Sequence, residues 1–294
     1  MFAIVSHDAG GAEILASYVA RNNLACWFVL EGPALGVFKR RLGNIETCSL
    51  ETALAACDTV LTGTSWQSDL ELRAIARARS LNRHCVSFID HWGHYVERFE
   101  RGGQLRLPDE IWVGDDLGLT TAQRCFPQTP ISLVANPHFA DIADKLEALP
   151  PPRDTSGQRL LYVCEPLSEH GLLQFGDERH WGYTEFDSLS YLMENLDRID
   201  ANIQSIVVRP HPSEAPGKYD VTIGSMGAMA TLGGAVPLLE EIAQADIVAG
   251  CESMAMVIGL LAGRRVISVI PPGGKPCALP HPEIEHMRDL VERI

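Results

Sequence analysis

The chain has 294 residues, 46% of them hydrophobic and 21% charged, which is enough apolar material for the cores of two domains of ordinary size. A formal net charge of −14 works against non-specific nucleic-acid binding, because a polyanion is repelled except at local basic patches. No apolar run approaches the roughly 20 residues that cross a bilayer, and Met1-Phe2-Ala3-Ile4-Val5 leads into a loop instead of a signal-peptide pattern, so the expected address is the cytoplasm.

In chain order the pattern alternates strand and helix. Phe2–Ser6 reads as a buried strand, 12–22 as a helix with apolar residues at helical spacing, 25–30 as a strand and 35–42 as a short helix. A strand at 59–63, a helix at 69–80 and strands at His84–Ile89 and Glu110–Val113 follow. Pro150-Pro151-Pro152-Arg153-Asp154-Thr155-Ser156-Gly157 can continue neither a helix nor a central strand, and is read as a linker between domains at 1–150 and 156–294. The alternation then restarts with a strand at 159–164, a helix at 184–196 with Thr184 as N-cap, strands at 206–209 and 246–249, helices at 237–243 and 255–262, and a strand at 266–270. An amphipathic helix at 281–294 closes the chain. Short apolar strands alternating with helices predict parallel sheets covered on both faces.

Two units in the second half carry the chemistry. Ile206-Val207-Val208-Arg209-Pro210-His211-Pro212-Ser213-Glu214 runs from a buried-looking strand into a cationic and hydroxylic loop, and Gly250-Cys251-Glu252-Ser253-Met254 opens an apolar helix. Loops at the carboxyl ends of parallel strands converge with the helix N-termini that follow them, so both units can grip one anionic ligand. Cys164-Glu165-Pro166-Leu167-Ser168 ends another strand and adds Glu165 and Ser168 as secondary candidates. In the first half, Ser6-His7-Asp8-Ala9-Gly10-Gly11 leaves the first strand with glycines that permit close backbone approach, but without the full dinucleotide-binding spacing. Asp90-His91-Trp92-Gly93-His94-Tyr95-Val96-Glu97-Arg98 concentrates an acid, imidazoles, aromatic rings and an arginine after a strand, a composition suited to a sugar ring. A metal set of Asp90, His91 and His94 needs further ligands from elsewhere. The eight scattered cysteines lack zinc-like spacing and read as reduced core residues.

This organisation resembles the GT-B glycosyltransferases and the nucleotide-sugar 2-epimerases that share their fold. Arg209-Pro210-His211-Pro212 is similar to the His-Pro motif of bacterial sialyltransferases and of glycerol-phosphate polymerases. The resemblance implies two Rossmann-like parallel α/β/α domains facing a central cleft, with the N-terminal domain on the acceptor side and the C-terminal domain holding the donor. It gives His211 the donor phosphate, with Arg209 or Ser213 in support, and gives the turn of Glu252, Ser253 and Met254 the phosphate oxygens. The acceptor side would comprise Gly10, Gly11, Trp92, His94, Tyr95 and Arg98. Sugar transfer by inversion needs a base for the acceptor hydroxyl; Asp8 is favoured, with His7, Asp90 and His91 as the other candidates.

Many uridine-nucleotide members carry a ribose-binding carboxylate five residues before the glycine matching Gly263, where this chain has Ile258. That departure tilts the expected donor toward a cytidine nucleotide over uridine. The expected activity is a metal-independent glycosyltransferase of bacterial surface-polysaccharide biosynthesis, with no cofactor beyond the nucleotide-sugar substrate. Its partners would be that donor and a glycan or lipid-linked acceptor, with peripheral membrane association left open and nucleic acid excluded. The alternatives are a nucleotide-sugar epimerase or hydrolase, and a non-catalytic nucleotide-sugar-binding partner of a transferase.

Overall fold

The computed structural model describes residues 1–65, 68–150 and 157–292. The chain divides into two compact units, Met1–Asp141 and Ile142–Ile294. Most of the Pro150–Gly157 linker expected from the sequence lies outside the described residues.

In the first unit, β1 (Phe2–Ser6), β2 (Cys26–Leu30), β3 (Thr59–Thr62) and β4 (His84–Ile89) precede a two-residue hairpin, β5 (Glu100–Arg101) with β6 (Gln104–Leu105), and then β7 (Glu110–Val113) and β8 (Ile131–Leu133). The main sheet runs β2-β1-β3-β4-β7-β8 with every pairing parallel. Alternation along each strand divides its apolar residues between two cores. Ala3, Val5 and Val60 pack on one face with Leu54, Leu72 and Ile75 of helices Leu50–Ala56 and Leu70–Ser80. Ile4, Leu61 and Val86 face the other way, against Leu15 and Phe38 of helices Ala9–Arg21 and Gly32–Leu42. Burial on both faces explains why these strands read as continuous apolar runs and not as alternating ones.

The second unit holds β9 (Gln158–Val163), β10 (Ile203–Arg209), β11 (Ala230–Leu232), β12 (Ile247–Gly250), β13 (Arg265–Ser268) and β14 (Ile284–His286). Its order is β11-β10-β9-β12-β13-β14, again all parallel, the strand order of a Rossmann sheet. Leu160, Tyr162, Ile206, Val208 and Ala249 form one core with Leu189, Leu192 and Met287. Thr184 caps helix Glu185–Glu194 as expected, and Asp187 completes a capping box by accepting the Thr184 N–H at 2.8 Å.

Two Rossmann-like α/β/α domains, as the sequence implied, are therefore present. The segment after residue 281 differs from the expected single helix: Ile284–His286 joins the sheet as an edge strand and the helix runs only over Met287–Glu292. Cys164–Ser168 was expected as a strand-end segment, yet a helix begins at Leu167 and ends at Phe175, where Gly176 takes a left-handed conformation at φ 72°. All eight cysteines are free thiols, four buried and four half-buried. Among the described residues no helix is long and apolar enough to cross a membrane.

Candidate functional site

In each sheet the strand order reverses once, between β1 and β3 in the first unit and between β9 and β12 in the second. The crevice outside the carboxyl ends of such a strand pair is where doubly wound sheets bind ligands. Most of the residues singled out from the sequence leave strands at or beside these points.

At the end of β1, His7 Nδ1 and Asp8 Oδ1 lie 2.7 Å apart, both side chains about one-fifth exposed. Asp8 stands at the N-cap position of helix Ala9–Arg21, but its carboxylate makes no capping bond; it is given to the imidazole instead. Glu71, in the first turn of helix Leu70–Ser80, was not singled out from the sequence. It is 3% exposed, and its Oε1 accepts the His7 backbone N–H at 2.7 Å. Its Oε2, like Ser6 Oγ at the end of β1, is buried without a hydrogen-bond partner among the described residues. Burial, reinforced by the nearby Asp8 charge, pushes the Glu71 carboxyl up to about 7 against the pull of its N–H donors.

The glycines have a steric reason. A Cβ on Gly11 would sit 3.2 Å from Gly63 Cα, and one on Gly10 would overlap the Asp90 carboxylate. Asp90, at the end of β4, is held by Arg98 Nη1 at 2.6 Å, and the same nitrogen donates to Thr64 Oγ1 at 2.7 Å. Beyond it the aromatic loop is tied inward. Trp92 Nε1 donates to Asp115 Oδ2 at 2.9 Å, its ring stacks on Phe139, and Tyr95 is buried, its hydroxyl pushed up to about 12 chiefly by desolvation. His91 Nδ1 accepts the Gly93 N–H at 3.1 Å, and His94 is exposed with φ +58°. The cavity enclosed by Asp90, Trp92, Asp115 and Asn136 measures about 10 Å³, room for about one water.

In the second unit Glu165 leaves β9 and reaches across to the turn after β12. Its Oε1 accepts three consecutive backbone N–H groups, from Cys251 at 3.0 Å, Glu252 at 2.9 Å and Ser253 at 3.1 Å. This is a nest of the kind that binds anionic oxygens. Burial outweighs the three donors and pushes the Glu165 carboxyl up to about 7. The N–H groups expected to face a phosphate thus already hold an internal carboxylate. Ser253 Oγ caps helix Met254–Leu261 through the Ala255 N–H at 3.2 Å, and Glu252 Oε2 accepts from Ala278 N–H.

The His-Pro loop after β10 is organised by Glu214, which the sequence reading included in the motif but gave no role. Glu214 Oε2 accepts the His211 N–H at 2.7 Å, while Oε1 accepts from Lys218 Nζ at 2.8 Å and Tyr219 Oη at 2.7 Å. The spacing of three residues from His211 to Glu214 is that of the reciprocal bond in a capping box, and was the available signal. His211 Nδ1 lies 2.7 Å from Ser213 Oγ. Lys218 also binds Glu169 and Glu185, so its ammonium occupies the one group of three carboxylates, among the described residues, close enough to share a cation. Those three acids raise the Lys218 pKa against the opposing effect of desolvation. Ser168 donates through both N–H and Oγ to the buried Glu185, and Arg209 Nη1 pairs with Glu241 Oε2 at 2.6 Å and the Val236 carbonyl. Both of these candidates are committed to internal partners. A larger groove of about 320 Å³ opens over Arg159, Leu161, Ser205 and Val207, toward the opposite ends of β9 and β10.

No protein-family model matches the chain, and no curated protein matches it significantly. Solved structures do. The chain is similar to a UDP-GlcNAc 2-epimerase from Methanocaldococcus jannaschii, with TM-score 0.64 and 10% identity over 99% of this chain and 90% of that one. It is similar to a UDP-GlcNAc 2-epimerase from Neisseria meningitidis bound to UDP-GlcNAc, with TM-score 0.59 and 11% identity over 99% and 89%. A third is the glycotransferase of kitacinnamycin, with TM-score 0.57 and 11% identity over 97% and 85%. Likeness at this identity shows that the chain shares the fold of these proteins, and leaves the reaction to be argued from the residues.

Proposed function

We propose that the protein is a nucleotide-sugar enzyme and, within that class, a glycosyltransferase. The observation that carries this is the nest at Cys251, Glu252 and Ser253, three convergent N–H groups at the strand-order reversal of the second unit, already engaged by a carboxyl oxygen. With the His-Pro loop after β10, it offers donors for a diphosphate or monophosphate ester. In glycosyl transfer, charge develops on the leaving phosphate, and preorganised N–H groups and an imidazole N–H aimed at that oxygen lower the barrier. Unit 2 would hold the donor through His211, positioned by Ser213, and through Ser253, with a donor phosphate oxygen displacing the Glu165 carboxyl from the nest. Unit 1 would supply the acceptor chemistry, with the His7–Asp8 pair as the base that takes the acceptor hydroxyl proton.

Asp8 is preferred over Asp90 as that base because Asp90 is bound to Arg98, whereas the Asp8 carboxylate shares only the His7 imidazole among the contacts given above. A cytidine nucleotide is the preferred donor because Ile258 replaces the ribose-binding carboxylate of uridine-nucleotide members. Transfer to a surface polysaccharide and a cytoplasmic location complete the reading.

The test is a thermal-shift series with cytidine and uridine mono- and diphosphates on the wild type and on His211→Ala. A ligand that binds only the folded state at 100 times its Kd stabilises it by about 2.7 kcal/mol. Stabilisation by one nucleotide, lost in His211→Ala, supports the donor site and names its base. No stabilisation by any of the four at millimolar concentration overturns the reading. Turnover of a nucleotide-sugar without any acceptor would instead favour the epimerase or hydrolase alternative.

A further inference from the structure

The His-Pro loop contains one detail that decides the chemical state of its histidine. Ser213 donates its backbone N–H to His211 Nδ1 at 3.2 Å, and the Ser213 hydroxyl lies 2.7 Å from the same nitrogen. A backbone N–H can only donate, so Nδ1 must present a lone pair, and the single proton of the neutral ring resides on Nε2. The hydroxyl, free to rotate, then also donates to Nδ1.

The backbone that sets this geometry is restrained from several sides. Pro210 and Pro212 restrict the dihedral angles on either side of His211, and Glu214 Oε2 holds the His211 N–H at 2.7 Å. The Glu214 side chain is fully buried and anchored in turn by Lys218 and Tyr219. The loop is therefore built to present one ring nitrogen outward, although His211 itself is exposed.

We propose that His211 acts as a neutral hydrogen-bond donor through Nε2–H, with Ser213 and Glu214 as the residues that position it and fix its tautomer. This rests on the reading of unit 2 as the donor-binding domain and specifies its phosphate contact: an oxygen acceptor engaged by a neutral N–H and not by a cation. The groups facing His211 agree with a neutral ring. Desolvation is the largest influence and lowers its pKa below the ordinary 6.5; His170, from helix Leu167–Phe175, acts in the same direction; Glu214 alone opposes them. Protonation would also break the Ser213 N–H···Nδ1 bond, since an imidazolium has no acceptor nitrogen.

The first arm of the test needs no ligand. Nitrogen NMR of histidine-labelled protein, with His211 assigned by its disappearance in His211→Gln, should show Nδ1 unprotonated and Nε2 protonated from pH 6.5 to 8, with titration only below pH 6.5. In Ser213→Ala the hydroxyl donor is lost but the backbone N–H remains, so Nε2 should stay the protonated nitrogen, whereas Ser213→Pro removes that N–H as well and should populate both tautomers. A protonated Nδ1 at pH 7, or a ring that is cationic at pH 7, overturns the proposal.

The second arm measures binding of inorganic pyrophosphate and of the stabilising nucleotide. His211→Gln, a neutral donor, should retain affinity within about tenfold, while His211→Ala loses more than that and His211→Lys does not rescue it. Rescue by lysine and not by glutamine overturns the proposal. If the NMR arm holds and no phosphate ligand binds any form, the tautomer assignment stands and the nucleotide-sugar reading is what fails.

Discussion

Asp90 and Gly10 meet so closely that residue 10 has no room for a side chain: a Cβ there would overlap the Asp90 carboxylate, which Arg98 pins from the other side at 2.6 Å. The small residue at the start of helix Ala9–Arg21 and the acid at the end of β4 are therefore one steric unit. Gly10→Ala should cost about 1–3 kcal/mol through this overlap, more than the gain of up to about 1 kcal/mol that alanine brings within a helix. In an Asp90→Ala background the collision is gone and the same change should be neutral or stabilising. Urea denaturation of the four proteins of this cycle checks it, and additive effects would contradict the contact.

Glu71 should make stability depend on pH. Its carboxyl is raised from an ordinary 4.5 to about 7, so the folded state prefers the protonated form. That contribution is complete below about pH 4.5 and is lost as pH rises through 7. A shift of this size corresponds to about 3 kcal/mol between the two ends. Glu71→Gln keeps an acceptor for the His7 N–H and carries no charge, so its melting temperature should fall less than that of the wild type between pH 5 and pH 8.

The Glu165 nest should show exchange between internal and external anions. Glu165→Ala leaves three N–H groups without their acceptor, at a cost of about 1–3 kcal/mol. Added phosphate should recover part of that loss in Glu165→Ala and stabilise the wild type much less, because there the carboxylate already fills the nest. Thermal melts of both proteins in matched chloride and phosphate buffers measure the difference. Equal stabilisation of the two proteins would mean that phosphate binds elsewhere.

Lys218 should be structurally costly to remove. Its side chain is 10% exposed and lies among Glu169, Glu185 and Glu214, the last two at 1% and 0%. Lys218→Met leaves buried carboxylates without their cation and should destabilise by about 3–5 kcal/mol. Because Glu214 also holds the His211 N–H, nucleotide stabilisation should weaken in Lys218→Met even under conditions where the protein remains folded. Chemical denaturation followed by the thermal-shift series separates the two effects.

The amino-acid sequence by itself determined the alternation of strands and helices, the parallel sheets and the strand-end positions of His7, Asp8, Asp90, Glu165, His211 and Ser253. These follow from local signals: apolar runs of strand length, helical spacing, caps and proline punctuation. Where the local signal was short it failed. Ile131–Leu133 and Ile284–His286 are three-residue edge strands, too brief for any period, and helix Leu167–Phe175 follows Pro166 and contains Gly171. Only the tertiary structure decided which charge each candidate meets. His7 finds Glu71 64 residues away, Cys251 finds Glu165 86 residues away, and Arg209 is claimed by Glu241. A chain with 38 acidic and 24 basic residues offers many partners of equal local propensity. The choice among them is made by which strand ends the hydrophobic cores bring together, and by the cost of leaving any buried polar group unpaired.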